Sequence, residues 1–164
     1  MKRFFLLISF LYFFLGYTAA QDEPLRIETG HPDLLVKVKR CQAAGDRLVL
    51  DLLIKNLCCE TSLRFGGGNA FEYGGSIAYD DEGNKYTGMD MLVNWGTDEP
   101  GHIARVNLPE NVPLKFRVTL KGFDKNATFL SKVNLYCSSK ELGIKWGEYY
   151  IELFNVPVSR EGDW

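Results

Sequence analysis

The stretch LLVKVKRCQAAGDRLVLDLLIKN, from Leu34 to Asn56, decides the fold class. Residues 34–41 and 47–56 alternate apolar and polar side chains, the period at which a β-strand points successive residues to opposite faces. Four apolar residues of the second half share one face: Leu48, Leu50, Leu52 and Ile54. The short turn at 42–46 between the halves contains Gly-Asp, so the stretch predicts a β-hairpin.

The same period recurs along the rest of the chain. Further strands are predicted at 76–79, 85–86, 89–95, 103–107, 114–121, 129–137 and 149–158. Gly83, in the sequence DDEGN (80–84), supplies the positive φ that a hairpin turn requires. Strong helical periodicity is absent. An all-β antiparallel sandwich of about 7–9 strands is therefore predicted, with a closed barrel as the alternative.

The N-terminus has the organisation of a secretory signal peptide. Lys2 and Arg3 precede an apolar run to Gly16, and small residues follow at 18–20. We therefore expect residues 1–20 to be a signal peptide and 21–164 a single exported domain in the periplasm, on the cell surface or secreted. A membrane anchor is the alternative, but the apolar run is shorter than the roughly 20 residues that span a bilayer.

Charge and ligand spacing disfavour several functions. Nineteen Lys and Arg face 21 Asp and Glu, a formal net charge of −2, which predicts no electrostatic steering to nucleic acid or to an anionic membrane. The four cysteines form no CxxC, and His31 and His102 lie far from them in sequence, so no zinc site and no cofactor are expected. The DDEGN segment lacks the spacing of an EF-hand and is better explained as a turn. A weaker calcium site on Asp80 and Asp81 stays open.

The glycine-rich sequence RFGGGNAFEYGG, from Arg64 to Gly75, does not fit a phosphate-binding loop. No lysine follows its last glycines, and Phe71 stands where a GxGxxG motif needs its third glycine. We interpret the stretch as a flexible loop that joins the two sheets. Phe71 and Tyr73, with Trp95 beside another glycine, are the candidate ligand-binding residues, since exposed aromatic rings stack on sugars or anchor protein partners. The alternative is that these rings pack onto the core of the protein itself.

Several landmarks occur in a fixed order along the chain: VKVKRC, LVLDLLIKN, AYDDEGNKY, LPENVPLKFRVTLKG and LSKVNLYC. Together they resemble secreted immunoglobulin-like β-sandwich domains of unknown function found in Bacteroides-type bacteria. The resemblance spans residues 34–158. It implies an immunoglobulin-like sandwich and export, and it supplies no catalytic residues.

An immunoglobulin-like strand order also implies a disulfide. It places 47–56 antiparallel beside 114–121 and carries 129–137 into the second sheet, which brings Cys58 and Cys137 to one end with both side chains inward. We therefore expect a Cys58–Cys137 bridge. Cys41 would lie at the opposite end of its hairpin. A bridge between Cys58 and Cys59 is not expected, because strand alternation would point them to opposite faces and an adjacent bridge strains the backbone.

These observations favour an exported, non-catalytic module that binds an unidentified protein, glycan or envelope component through its loops. The alternative is a small extracytoplasmic enzyme that uses His102 with loop carboxylates. The two hypotheses differ in whether His102 lies within hydrogen-bond reach of a carboxylate or hydroxyl in a concave pocket.

Overall fold

Two β-sheets form a sandwich-like arrangement in the computed structural model, which describes residues 23–66, 75–93, 103–139 and 147–160. Within those ranges there is no α-helix, and hence none long and apolar enough to cross a membrane. The twelve strands of the described residues are β1 (Arg26–Thr29), β2 (Leu34–Ala44), β3 (Arg47–Asn56), β4 (Thr61–Gly66), β5 (Ile77–Asp80), β6 (Lys85–Tyr86), β7 (Met89–Val93), β8 (Ile103–Leu108), β9 (Pro113–Lys121), β10 (Phe129–Ser139), β11 (Gly147–Pro157) and β12 (Ser159–Arg160).

Sheet A contains seven strands and sheet B contains five. The order in sheet A is β1-β11-β10-β4-β8, with β5 also paired to β10 and β6 paired to β5. The order in sheet B is β12-β2-β3-β9-β7, antiparallel except for the β12–β2 pair. The predicted pairing of β3 with β9 and the placement of β10 in the other sheet are both confirmed.

The core lies between the sheets because alternate residues of each strand point inward. The apolar face predicted for β3 is at most 2% exposed from Leu48 to Ile54. On β9 the inward set is Phe116, Val118 and Leu120, and the Phe116 ring contacts that of Phe65 on β4 at a centroid distance of 4.4 Å. Each such side chain contributes about 1.5–3 kcal/mol when fully buried, so the two inner faces hold the sheets together.

Both predicted hairpins are present. Strand β3 has the predicted bounds, whereas β2 extends three residues further than the sequence predicts, so the turn between them is only Gly45-Asp46, with Gly45 at a φ of 60°. The β5–β6 hairpin pairs Ala78 with Tyr86, and Gly83 takes the expected positive φ of 84°.

The glycine-rich stretch differs from its prediction as a loop that joins the sheets. Residues 64–66 belong to strand β4, which was not predicted, and β4 and β5 both pair with β10 in sheet A. The stretch between them therefore connects two strands of one sheet. The reason is a short alternation that the glycines obscure: Thr61, Leu63 and Phe65 are buried and Ser62 and Arg64 lie on the other face.

Candidate functional site

The candidate ligand-binding residues Phe71, Tyr73 and Trp95, and the candidate catalytic His102, lie outside the described residues. Their nearest described neighbours can be placed. Gly66, which precedes residues 67–74, pairs with Ile103, which follows residues 94–102. Gly66 also pairs with Tyr136 on its other side, and Tyr136 pairs with Tyr150 on β11.

A buried serine closes the base of the glycine-rich stretch. The backbone N–H and the hydroxyl of Ser76 both donate to the carbonyl of Gly66, at 3.0 and 2.6 Å. The same hydroxyl accepts a hydrogen bond from the backbone N–H of Tyr136 at 2.9 Å. Strand β10 pairs with β4 over one part of its length and with β5 over another. Between these two parts, Ser76 supplies a hydrogen-bond partner for the backbone of β10 that neither strand provides.

A groove on the outer face of sheet A carries an exposed tyrosine and two carboxylates. It has a volume of about 340 Å³ and is lined by Glu28, Thr29, Gly30, Tyr150 and Glu152. We call it the Tyr150 groove. Glu28 and Glu152 are partners across β1 and β11, so their side chains leave the same face of the sheet side by side. Tyr150 is 38% exposed.

The ring of Tyr150 packs against its cross-strand partner Tyr136. It meets the ring of Tyr136, which is almost fully buried, edge to face at a centroid distance of 5.6 Å. The backbone carbonyl of Tyr150 accepts a hydrogen bond of 3.0 Å from the N–H of Gly30, which fixes β11 against the end of β1. Edge-to-face contact of this kind covers at most one face of the exposed ring, so at least one face is left for a ligand.

Two cations hold the carboxylates of the groove in position. Lys132 Nζ lies 2.8 Å from Glu152 Oε1, and Arg26 Nε lies 3.2 Å from Glu28 Oε1. Both cations also lie over the ring of Phe154, at 4.2 Å for Arg26 and 5.1 Å for Lys132. The carboxylates are therefore oriented hydrogen-bond acceptors beside an apolar ring.

Sequence reasoning did not select this groove. Tyr150 belongs to the predicted last strand, and its alternation with the inward residues Ile151 and Leu153 gives it an outward direction. That signal could have identified the exposed tyrosine. The neighbouring carboxylate of Glu28 comes from β1, a four-residue strand without a fully buried residue, so no periodicity reveals it.

The acidic turn at Asp80 is a structural cluster. The carboxylate of Asp80 accepts hydrogen bonds from the Tyr86 hydroxyl at 2.6 Å, from the Asn84 side chain at 2.9 Å and from the Asn84 backbone at 2.8 Å. Burial alone would raise the pKa of Asp80, but the bonds from Tyr86 and Asn84 outweigh it and lower that pKa. These donors occupy both oxygens of Asp80, and within the described ranges no three His, Cys, Asp or Glu side chains gather where a metal ion could bind.

The four cysteines are free thiols, and the expected Cys58–Cys137 bridge is not formed in the structure. Strand β3 ends at Asn56, so its alternation does not extend to Cys58, which is exposed in the following turn. Cys137 is buried and pairs with Phe65, well inside β4. The register therefore separates the two sulfurs along the sheet.

Strand alternation predicts that the neighbours Cys58 and Cys59 point to opposite faces, and this prediction is wrong. Their sulfurs lie 3.6 Å apart in a turn organised by Asn56, whose side-chain amide donates to the carbonyls of both residues. The Asn56 side-chain oxygen accepts the N–H of Cys58 at 3.2 Å. A hydrogen bond with the Cys58 thiol is the main cause that raises the pKa of Cys59.

No protein-family model matches the chain, and no curated protein is similar to it at a significant level. The class that the structure defines is thus an all-β protein with two antiparallel-rich sheets in a sandwich-like arrangement.

Proposed function

We propose that the protein is an exported, non-catalytic β-sandwich module of the immunoglobulin-like kind, and that it binds a glycan in the Tyr150 groove. The observation that carries the proposal is the exposed ring of Tyr150 in a concave site beside two oriented carboxylates. Export is supported by the signal peptide expected at residues 1–20.

The chemistry of the groove favours a sugar over other small ligands. The flat face of Tyr150 suits the C–H face of a sugar ring, while carboxylate oxygens accept hydrogen bonds from hydroxyl groups. The volume of about 340 Å³ lies at the small end of ligand sites, which suits one or two sugar rings. Because Glu28 and Glu152 are acidic, a neutral glycan fits better than a uronate.

The loops predicted from the sequence belong to this proposal as neighbours of the groove. The row of paired residues Tyr150, Tyr136, Gly66 and Ile103 runs across sheet A from the groove to the described ends of 67–74 and 94–102. Ligand contacts by Phe71, Tyr73 and Trp95 stay a prediction, to be tested on the same ligand.

A glycan array on residues 21–164, followed by calorimetric titration of each hit, tests the proposal. We expect Tyr150→Ala to weaken binding on the order of tenfold, which corresponds to about 1.4 kcal/mol of ring contact. Tyr79→Ala is the matched control, since Tyr79 is another exposed tyrosine, 36% accessible, on a different strand of sheet A. An array without hits, or equal binding by both variants, would overturn the proposed site.

The enzyme alternative has its own measurement. Incubation of a bound glycan with the protein, followed by product analysis, distinguishes binding from hydrolysis. If products form with the unaltered protein but not with the His102→Ala variant, the small extracytoplasmic enzyme becomes the supported hypothesis and the non-catalytic binding module is rejected.

A further inference from the structure

The charge of this protein is strongly segregated, although the whole chain is nearly neutral. Strands β2, β3, β7 and β9 carry eight Lys and Arg but only two Asp, against a net charge of −2 for the full sequence. The eight cations are Lys37, Lys39, Arg40, Arg47, Lys55, Lys115, Arg117 and Lys121. The inward positions of these strands form the apolar core, so the charged side chains are confined to the outer side of sheet B and its margins. We call that side the basic face.

Strand register arranges the cations in rows across the sheet. Lys37 on β2 and Lys115 on β9 flank Leu53 of β3, and Arg40 and Arg117 flank Asp51 one row further along. Neighbouring strands lie about 4.8 Å apart, so cations of one row are separated by about 10 Å. That separation is comparable to the Debye length at physiological ionic strength, so their potentials add at the surface.

The two aspartates of these strands offset only part of this charge. Asp51 binds Arg40 and Arg117 and is 3% exposed, so its charge is covered by the guanidinium groups. Asp90 pairs with Lys121, at the margin of the sheet, at a distance of 2.7 Å. Lys37 and Lys39 of β2 take part in neither of these ion pairs, and both are exposed.

An apolar group borders the basic face at one end of sheet B. Leu35, Leu57 and Val112 are 52%, 39% and 45% exposed. Leu35 and Pro113 are both partners of Lys55, and Val112 directly precedes Pro113. The N–H of Leu57 donates to the carbonyl of Asp33 at 2.8 Å, which holds Leu57 at the start of β2. We call these three residues the apolar rim.

From this juxtaposition we propose that the basic face and its apolar rim form a docking surface for a bilayer that contains anionic phospholipid. Clustered Lys and Arg are attracted to anionic headgroups, and exposed aliphatic side chains at the border of the patch enter the interfacial region. A soluble polyanion would use the cations but gains nothing from the rim, so the rim favours the bilayer. The inference is independent of the Tyr150 groove, which lies on the other sheet.

Segregation also orients the molecule at such a surface. The rest of the chain carries an excess of Asp and Glu, since the total is negative while these four strands are positive. An anionic surface therefore attracts the basic face and repels the remainder, a field that the net charge alone does not reveal.

Sedimentation with vesicles tests the proposal on residues 21–164. We expect binding to vesicles of phosphatidylcholine with phosphatidylglycerol, little binding to phosphatidylcholine alone, and loss of binding at high salt. Each lysine contributes roughly fivefold to partitioning, so Lys37→Glu/Lys115→Glu is expected to weaken binding by at least about 25-fold. Leu35→Ser/Val112→Ser is expected to weaken binding at low salt, where the unaltered protein binds, because it removes aliphatic contacts with the interfacial region.

Arg105→Glu/Lys125→Glu is the matched control, because it changes the total charge equally on exposed residues outside the basic face. Thermal unfolding of each variant establishes that it is folded. The proposal is overturned if the two double charge reversals weaken binding equally, or if neither vesicle binds. It is also overturned if heparin binds to the basic face while anionic vesicles do not.

Discussion

The carboxylate of Asp51 on β3 lies 2.7 Å from Nε of Arg117 on β9, although the two residues are 66 positions apart in sequence. Arg40, on the opposite neighbour β2, donates to the same carboxylate at 2.9 Å. The result is an aspartate that points away from the core and is nevertheless 3% exposed, because two arginine side chains cover it. Three strands of sheet B are thereby cross-linked on their outer side.

We predict that Asp51→Asn lowers the free energy of unfolding by about 1–3 kcal/mol. The substitution removes charge-assisted hydrogen bonds and leaves two guanidinium groups facing each other across the strand. The cost stays below that of breaking a fully buried pair, because Arg40 and Arg117 retain contact with water. Urea unfolding followed by tryptophan fluorescence measures the change.

The control for Asp51 is Asp90→Asn, which breaks the marginal pair with Lys121 on the same sheet. Such a pair is worth less than about 1 kcal/mol. Equal losses in the two variants would show that the coverage of Asp51 by arginine contributes nothing beyond an ordinary surface ion pair.

The Asp80 turn makes a pH-dependent contribution to stability. Because the hydrogen bonds from Tyr86 and Asn84 lower the pKa of Asp80 in the folded protein, folding favours the ionised form. The stabilisation is therefore complete above the ordinary aspartate pKa of about 3.9 and is lost as the pH falls from there through the lowered folded value. We expect Asp80→Asn to cost about 1–3 kcal/mol at neutral pH and progressively less below about pH 4.

Urea unfolding of the wild type and of Asp80→Asn at a series of pH values measures this change. The control is Glu82→Gln, which removes an exposed carboxylate from the same turn. Its effect is expected to stay within about 0.5 kcal/mol throughout, as for an ordinary surface substitution. A difference between wild type and Asp80→Asn that does not shrink in acid would contradict the lowered pKa of Asp80.

The thiols divide into a reactive and an unreactive pair. Burial and, to a lesser degree, the charge of Asp51 raise the pKa of Cys41 to about 12, and burial raises that of Cys137 as well. Cys58 and Cys59 are exposed. The hydrogen bond with Cys58 raises the pKa of Cys59, but both of these thiols are accessible to a reagent, whereas Cys41 and Cys137 are buried. We therefore expect an aromatic disulfide reagent to modify two thiols quickly in the folded protein and two more only after unfolding.

The double variant Cys58→Ser/Cys59→Ser is expected to lose the fast reaction entirely and to keep the slow one. The same titration tests the bridge expected from the immunoglobulin-like strand order. If Cys58 and Cys137 were joined, one fast thiol and one slow thiol would be counted in the non-reduced protein.

Sequence periodicity predicts the strands that bury one complete face. β3 and β9 combine long alternation with unbroken apolar sets, and their pairing follows from the strand order expected for a sandwich. Periodicity does not predict β1, because that strand is short and only half-buried. It does not predict β4 either, because the alternation of β4 is followed at once by glycines. From the sequence, Asp51 is predicted to be exposed to solvent. The arginines that cover it lie on other strands, so no local sequence pattern indicates its burial.

The sites depend even more on contacts that are distant in sequence. The Tyr150 groove needs Glu28, and the basic face needs three strands in register before its charge becomes visible. Composition averages that charge to near neutrality, which is why the sequence predicts no attraction to an anionic membrane. Segregation of charge is a property of the folded surface.

Ser76 provides the last prediction, at the base of the glycine-rich stretch. Its buried hydroxyl donates to the carbonyl of Gly66 and accepts from the N–H of Tyr136, so Ser76→Ala removes both of these hydrogen bonds. We expect a loss of about 1–3 kcal/mol in the free energy of unfolding. Hydrogen exchange at the Tyr136 amide is expected to accelerate more than exchange at Leu135, since only the former donates to the serine.

Ser131→Ala is the matched control for Ser76. Its hydroxyl donates a single hydrogen bond, to the carbonyl of Asp80 at 2.8 Å, and the residue is only half-buried. A loss of about 1 kcal/mol or less is expected there, without a change at the Tyr136 amide. If Ser76→Ala costs no more than Ser131→Ala and exchange at the Tyr136 amide is unchanged, the hydroxyl of Ser76 does not join β4 and β5 to β10. The backbone hydrogen bond between Ser76 and Gly66 then suffices to hold β4 and β5 together.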